Sequence, residues 1–496
     1  MNRLLNALAT TQASVPVLGD GQISVTGSEF YDWIGLMAAQ LRALGVRRLA
    51  LYADNSLEWL ACDLACQLAD IPFLPLPVFF TPQQCTYAVI SSGVDTVISA
   101  RADLLPARYR QLQTTVFPGM TTLQDADVAQ VELPENTGKI TFTSGSTGTP
   151  KGVCLSNEQL LNQAQVLAET VALHKPLHLC VLPLSTLLEN VAGVYAPLLA
   201  GGKVEVRSLS ELGMGGSRMV APDRFLATIG AVQPDSLILI PQMLQFMVQS
   251  VNVGWEPPAL KFIAVGGSRV SAALISVARH SGLPVYEGYG LSECASVVSL
   301  NTPGFDQPGS CGKPLKHVRI QEQNGEIIIE GNAMLGYVGA PESWGRAAIA
   351  SGDLGYVDSE GFLHIEGRSK NVIISSYGRN IAPEWVESEL QASPILAEVV
   401  VLGDARPWCV ALVTPRIAEL PDSVIDDVIA TANSRLPDYA QVKQWQRLPS
   451  PLAANPALLT ANGRPKRAAI AELYHQQVEA LYSRAGAGVE AAALGA

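Results

Sequence analysis

The order of hydrophobic patterns predicts an α/β fold: a large N-terminal domain of β-sheets covered by helices, then a small α+β C-terminal domain. Three observations predict it. Helical and strand periodicities alternate up to about residue 310, short strands separated by turns follow, and a compact mixed stretch begins after Gly367.

The first helical run places Phe30, Ile34, Met37, Leu41 and Leu44 on one face after Ser28 and ends at Gly45. A strand over Arg48–Tyr52 follows, then a helix opening at Asn55-Ser56 with Leu57, Leu60, Leu64 and Leu68 aligned. Ser156 and Gln159 have capping-box spacing ahead of a helix through Val171. Strands are expected over Ser236–Ile240 and Leu260–Val265. Further on, Ile327–Glu330 and Phe362–Ile365 read as short strands, with Asp358-Ser-Glu-Gly361 as a hairpin turn. The boundaries read as residues 1–367, 368–482 and a disordered tail over 483–496, where Gly and Ala accumulate.

Composition excludes several classes. With 48% hydrophobic and 16% charged residues, the 496-residue chain buries large cores. A net charge of −12 leaves no basic stripe for nucleic acid. The most apolar stretch, Ile71–Phe80, carries Pro72, Pro75 and Pro77 and falls short of the ~20 residues of a spanning helix. No N-terminal leader pattern is visible, so a cytoplasmic protein with at most peripheral membrane contact is expected. The eight cysteines form no CxxC pair, which points to buried free thiols rather than zinc or disulfides.

Chemistry concentrates in Ile140–Val153, ITFTSGSTGTPKGV. A β-type run leads into Gly, Ser and Thr residues whose backbone N–H groups and hydroxyls suit phosphate oxygens, with Lys151 adding positive charge. It is not a Walker loop. Further along stand Gly266-Gly267-Ser268 after a buried-type strand, YEGYGLSE over Tyr286–Glu293, Ser351-Gly352-Asp353, Gly367-Arg368-Ser369-Lys370, and Leu459-Thr-Ala-Asn-Gly-Arg464-Pro-Lys466-Arg467.

This ordered set resembles the adenylate-forming (AMP-binding) superfamily, and its motifs are most similar to those of long-chain fatty acyl-CoA synthetases. Tyr289–Asn301, Asn380-Ile-Ala-Pro-Glu384 and Leu458-Leu459-Thr460 carry the closer likeness. The resemblance implies a distorted β-barrel-like subdomain before a hinge at Lys370. It implies that Thr143, Ser144, Gly145, Ser146, Thr147, Gly148 and Lys151 hold phosphates. Gly267, Ser268, Glu287, Gly288, Tyr289, Gly290 and Ser292 would surround the nucleotide, with Tyr289 on adenine and Ser292 on phosphate. Asp353 and Arg368 would bind ribose, and Glu293 would hold Mg²⁺. Thr186, Leu187, Val265 and Gly266 would form the acyl pocket.

The implied chemistry starts from ATP, Mg²⁺ and a fatty acid, with coenzyme A as cosubstrate. A carboxylate attacks the α-phosphorus, so two anions must meet and the site must neutralise charge. Lys151, Glu293 with its metal, and a cation from the C-terminal domain would do so. The family has Lys at that last position and this chain has Arg464, with Lys466 two residues on. Arg and Lys differ in reach and geometry. Thr186 likewise stands where an aromatic residue or His is usual. Three functions therefore stay open: an acyl-CoA ligase, an acyl-AMP ligase loading an acyl carrier protein, and an impaired homologue that only binds ATP and acid.

Overall fold

The computed structural model describes residues 2–483 apart from 102–104, 107, 114–115, 118, 144–149, 216–217 and 461–462. The helix Gly27–Ala43 begins two residues earlier than its apolar stripe suggests. Thr26 is the cap: its hydroxyl accepts from the Glu29 N–H while the Glu29 side chain returns to the Thr26 N–H. Ser56 caps Leu57–Ala69, and Ser156 with Gln159 forms the expected box ahead of Asn157–Val171. Phe30, Ile34 and Leu41 are fully buried, each such side chain contributing about 1.5–3 kcal/mol.

Two large sheets organise the N-terminal part. In the nine-stranded sheet, Phe262–Val265 lies between Ser236–Leu239 and Val285–Leu291, all parallel, with Leu177–Cys180 beyond Ser236–Leu239. The eight-stranded sheet contains Lys139–Thr143 paired antiparallel with Lys151–Leu155, and the short strand Gly336–Tyr337 on its edge. Parallel strands need cover on both faces, and the helices supply it. The stretch after residue 310 contains a four-stranded antiparallel sheet, Arg319–Gln323, Glu326–Glu330, Ala348–Val357 and Leu363–Arg368. Register shifts at Glu326/Ile328 and Leu354/Gly355 distort it.

Where the two large sheets meet helices, one ion pair is fully enclosed. Lys139 Nζ lies 2.8 Å from Asp63, and both side chains are 1% exposed. Asn190 and Tyr195 complete the shell, Tyr195 donating to Asp63 at 2.6 Å. Asn190 and Tyr195 come from a π-helical turn, Leu188–Tyr195.

Beyond Arg368, the strands Leu396–Leu402, Cys409–Pro415 and Val442–Arg447 form a separate three-stranded sheet. The helices Pro383–Gln391 and Asp422–Asn433 pack into its core through Val386, Leu390, Ile425 and Ile429. Gln245 joins this part to the N-terminal part by donating to the Gln391 and Ser393 carbonyls and accepting from Arg416. All eight cysteines are free, seven of them buried. Among the described residues no helix is long and apolar enough to cross a membrane. Residues 484–496 of the expected tail lie outside the described residues.

Candidate active site

The phosphate-loop segment is held at its two ends by a strand pair. Thr143 stands opposite Lys151, so the two ends of the segment meet in the sheet. Ser144, Gly145, Ser146, Thr147 and Gly148 lie outside the described residues. Lys151 is exposed, with Nζ 5.0 Å from the centre of the Tyr337 ring. Tyr337 in turn donates to Glu293 Oε1 at 2.9 Å. The base of the loop and the expected metal carboxylate are thereby tied through one aromatic side chain that no motif marks.

Glu293 sits in a short 3₁₀ turn, Ser292–Cys294, directly after the strand Val285–Leu291. That strand runs close to its neighbours because its glycines permit it. A Cβ on Gly290 would lie 1.7 Å from the Ser296 carbonyl, and one on Gly288 would press on Leu300. Glu287 is buried, accepts weakly from the Val270 N–H, and burial pushes its carboxyl up to about 8. Gly267 has φ +82°, a turn that favours glycine, and Ser268 beside it is exposed.

Asp353 and Arg368 are register partners on adjacent antiparallel strands. Arg368 Nε lies 2.7 Å from Asp353 Oδ1, and Tyr289 donates to Oδ2 at 2.5 Å. Burial raises the Asp353 carboxyl, while Arg368 and the Tyr289 hydroxyl oppose that rise. The Tyr289 phenol is driven well up by burial and by Asp353. A buried carboxylate braced in this way can meet two neighbouring hydroxyls of a ribose without reorganising.

Arg464 reaches the same place from the C-terminal part. Its Nη2 donates to the Gly267 carbonyl at 2.5 Å, and Asp353 and Glu384 attract its charge while Arg368 repels it. Lys466 is exposed at the start of the helix Arg467–Leu473, so of the two cations Arg464 is the one brought to Gly267 and the Asp353 cluster. Arg467 is paired with Glu387 at 2.7 Å and Glu384 at 3.4 Å, which fixes the loop carrying Arg464. Lys370 lies exposed in the turn Ser369–Asn371, immediately beyond Arg368.

The expected acyl-pocket residues Thr186, Leu187, Val265 and Gly266 do not line the apolar cavity nearby. A small apolar cavity of about 70 Å³ lies against the sheet, and Leu188, Ala192, Ile238, Phe262 and Ala264 line it. Val265 is packed into the core on the other face with Ile263, because neighbours along a strand alternate sides. Leu187 is likewise buried in the core, and Thr186 bonds back to the Pro183 carbonyl at 2.8 Å. Gly266 is buried, and a Cβ there would sit 3.0 Å from the Gly288 carbonyl.

This geometry can be set beside known proteins. Residues 5–338 match the AMP-binding enzyme family and residues 370–486 its C-terminal domain. The chain belongs to the AMP-binding enzyme family. It is 24% identical to the long-chain-fatty-acid–CoA ligase FadD15 of Mycobacterium bovis, over 93% of this chain and 92% of that protein. It is 29% identical to a feruloyl-CoA synthase of an Amycolatopsis species, over 87% and 92% respectively. Among solved structures, this AMP-binding enzyme resembles O-succinylbenzoate coenzyme A synthetase of Bacillus subtilis in complex with ATP and magnesium. The TM-score is 0.75 at 24% identity, covering 94% of this chain and 98% of the other. A second similar fold is the anthranilate CoA ligase AuaEII with anthranoyl-AMP, with a TM-score of 0.78 at 18% identity, covering 95% and 96%.

Proposed function

We propose that this chain is an AMP-forming acid–thiol ligase that activates an apolar carboxylic acid with ATP and transfers the acyl group to coenzyme A. The observation that carries the reading is the meeting of Arg464 with the Gly267 carbonyl beside the Asp353–Arg368–Tyr289 cluster. In this reading Arg464 supplies the cation that lets a carboxylate and a phosphate approach each other. Asp353, held by Arg368, orients the ribose, and the glycine-lined strand ahead of Glu293 gives the nucleotide a flat bed. The Glu293 carboxylate, held by Tyr337, is a hard oxygen donor of the kind that suits Mg²⁺, which arrives with ATP and supplies charge neutralisation.

In the first step a carboxylate oxygen attacks the α-phosphorus, forming an acyl-adenylate and releasing pyrophosphate. In the second a thiolate attacks the acyl carbon and AMP leaves. No protein nucleophile is required, so positioning and electrostatics carry both steps. The C-terminal part, residues 368–482, is proposed to pivot at Lys370 between them, removing Arg464 so that the thiol can enter.

The acid is proposed to be a fatty acid, in keeping with the apolar cavity beside Ala264 and the likeness to a long-chain-fatty-acid–CoA ligase. An aryl acid is the second reading, favoured by the likeness to feruloyl-CoA synthase. Eight unpaired cysteines suit a reducing compartment such as the cytoplasm. The test is acid-dependent ATP–pyrophosphate exchange over fatty and aryl acids, followed by addition of coenzyme A or an acyl carrier protein. Exchange with AMP release on coenzyme A supports the ligase, whereas turnover with carrier protein alone replaces the acceptor. Silence with every acid, in a protein that still binds ATP, overturns the reading.

A further inference from the structure

The cavity against the nine-stranded sheet is apolar except at one end, where His178 and Ser236 enter its wall. Both are register partners on adjacent strands, and both are almost wholly buried. His178 Nδ1 lies 2.9 Å from Ser236 Oγ, and His178 Nε2 lies 3.0 Å from Glu189 Oε1. Glu189, fully buried, also accepts from the Leu182 N–H at 3.1 Å. Space for the array is reserved by Gly193, where a Cβ would stand 2.4 Å from Glu189 Oε1 and 2.8 Å from His178 Nε2.

Burying three polar side chains behind an apolar wall costs free energy that a hydrophobic substitute would avoid. Counting hydrogen-bonding capacity shows what the array leaves open. Among the described residues, the Ser236 side chain bonds to His178 alone. With a neutral His178 donating to Glu189, the serine hydroxyl donates to Nδ1 and its oxygen still accepts. With His178 protonated, the serine oxygen accepts and its O–H still donates. A hydroxyl group, being both donor and acceptor, complements either arrangement. Cys180 Sγ lies in the same cluster, with ligand atoms of His178 and Glu189 within 4.8 Å. Its thiol is pushed well up by burial and by Glu189, so it stays protonated and a poor metal ligand.

Position supplies the scale. Ser236 stands opposite Phe262, and Phe262 precedes Gly266 by four residues on the same strand line. At the rise of a strand that is roughly 13 Å between the nucleotide end and the serine. We propose that Ser236, held by the Glu189–His178 pair, is a specificity-determining residue that hydrogen-bonds a hydroxyl far down the tail of an otherwise apolar acid. This inference rests on the ligase function proposed above and names the class of acid: a tail-hydroxylated one, aliphatic or aromatic.

The test compares matched acids by kcat/KM in ATP–pyrophosphate exchange, using ω-hydroxydecanoate against decanoate and para-hydroxycinnamate against cinnamate. The wild-type enzyme is expected to favour the hydroxylated member of one pair by about tenfold or more, chiefly through KM. The favoured pair identifies the aliphatic or aromatic source. Ser236→Ala should bring that ratio close to one, and Ser236→Thr, which keeps a hydroxyl, should restore most of it. Equal use of both members in both pairs by the wild-type enzyme overturns the inference while leaving the ligase intact. An unchanged ratio in Ser236→Ala overturns it as well. Absence of exchange with all four acids also overturns the inference, and silence across the wider panel of fatty and aryl acids as well refutes the ligase reading itself.

Discussion

Replacing Tyr337 by Phe removes one hydroxyl and little else. The ring over which Lys151 lies at 5.0 Å is retained, as are the backbone bonds to Ser343 and Trp344 that fix the edge strand. What disappears is the 2.9 Å hydrogen bond to Glu293. A hydrogen bond to a charged group contributes about 1.5–3 kcal/mol, and the half-exposed carboxylate here points to the lower end of that range. Groups that orient a metal-binding carboxylate typically govern about 10–100-fold in metal affinity. The half-saturating Mg²⁺ concentration in pyrophosphate exchange should therefore rise about tenfold, with kcat at saturating Mg²⁺ falling much less. The measurement is a Mg²⁺ titration at saturating ATP and acid, beside the wild-type enzyme. An unchanged Mg²⁺ dependence would refute the assignment of Glu293 as the metal carboxylate oriented by Tyr337.

Arg464→Ala should reduce adenylation by about 10²–10³-fold, the scale of losing one preorganised donor. Thioester formation from supplied acyl-adenylate should suffer far less, and comparing the two half-reactions checks it. Asp353→Asn should raise the KM for ATP by about tenfold or more, because it weakens ribose binding and leaves Arg368 without its ion pair, 2.7 Å in the native site. The Glu287 carboxyl is raised from 4.5 to about 8 by burial, so the folded state holds a proton that the unfolded state has lost. Its stabilising contribution is complete below pH of about 4.5 and vanishes as pH rises through about 8. Glu287→Gln should then show a shallower fall in melting temperature between about pH 5 and 8 than the wild type. Lys139→Met strands Asp63 without its buried partner and should destabilise the fold by about 3–5 kcal/mol in denaturant titration, with Lys139→Met/Asp63→Leu partly restoring it.

Much of the fold is legible because local chemistry and tertiary demand agree. The Ser156–Gln159 box opens its helix as the residues dictate, and the alternation before residue 310 resolves into sheets covered by helices. The Thr26 cap is harder to see, because Ser28 also has a capping side chain and lies nearer the first buried ring. In the site, Asp353 and Arg368 announce themselves by motif, but their direct pairing follows from a register that includes a bulge. Tyr337 carries no signal in the chain, since its role comes from a two-residue edge strand and from Glu293, 44 positions earlier. The Glu189–His178–Ser236 array is equally silent, with partners 11 and 58 positions apart. Only the presence of Glu and His in an apolar stretch, where burial must be compensated, hints at it. Val265 stands beside Gly266 in the chain, but strand alternation turns it into the core and leaves Ala264 lining the cavity.

The π-helical turn Leu188–Tyr195 carries the cavity wall on one side and two buried polar assemblies on the other. Leu188 and Ala192 face the cavity, Glu189 is bound to His178, and Asn190 and Tyr195 grip the Lys139–Asp63 pair. Such a turn is free to exchange the two outward side chains and almost nothing else. With the proposed role of the cavity as the acid pocket, divergence toward a new substrate would proceed by trimming or enlarging residues at 188, 192 and 264 on a backbone that stays put. A shift of the turn itself would break two polar assemblies at once, so selection can resize this chamber far more readily than it can move its walls.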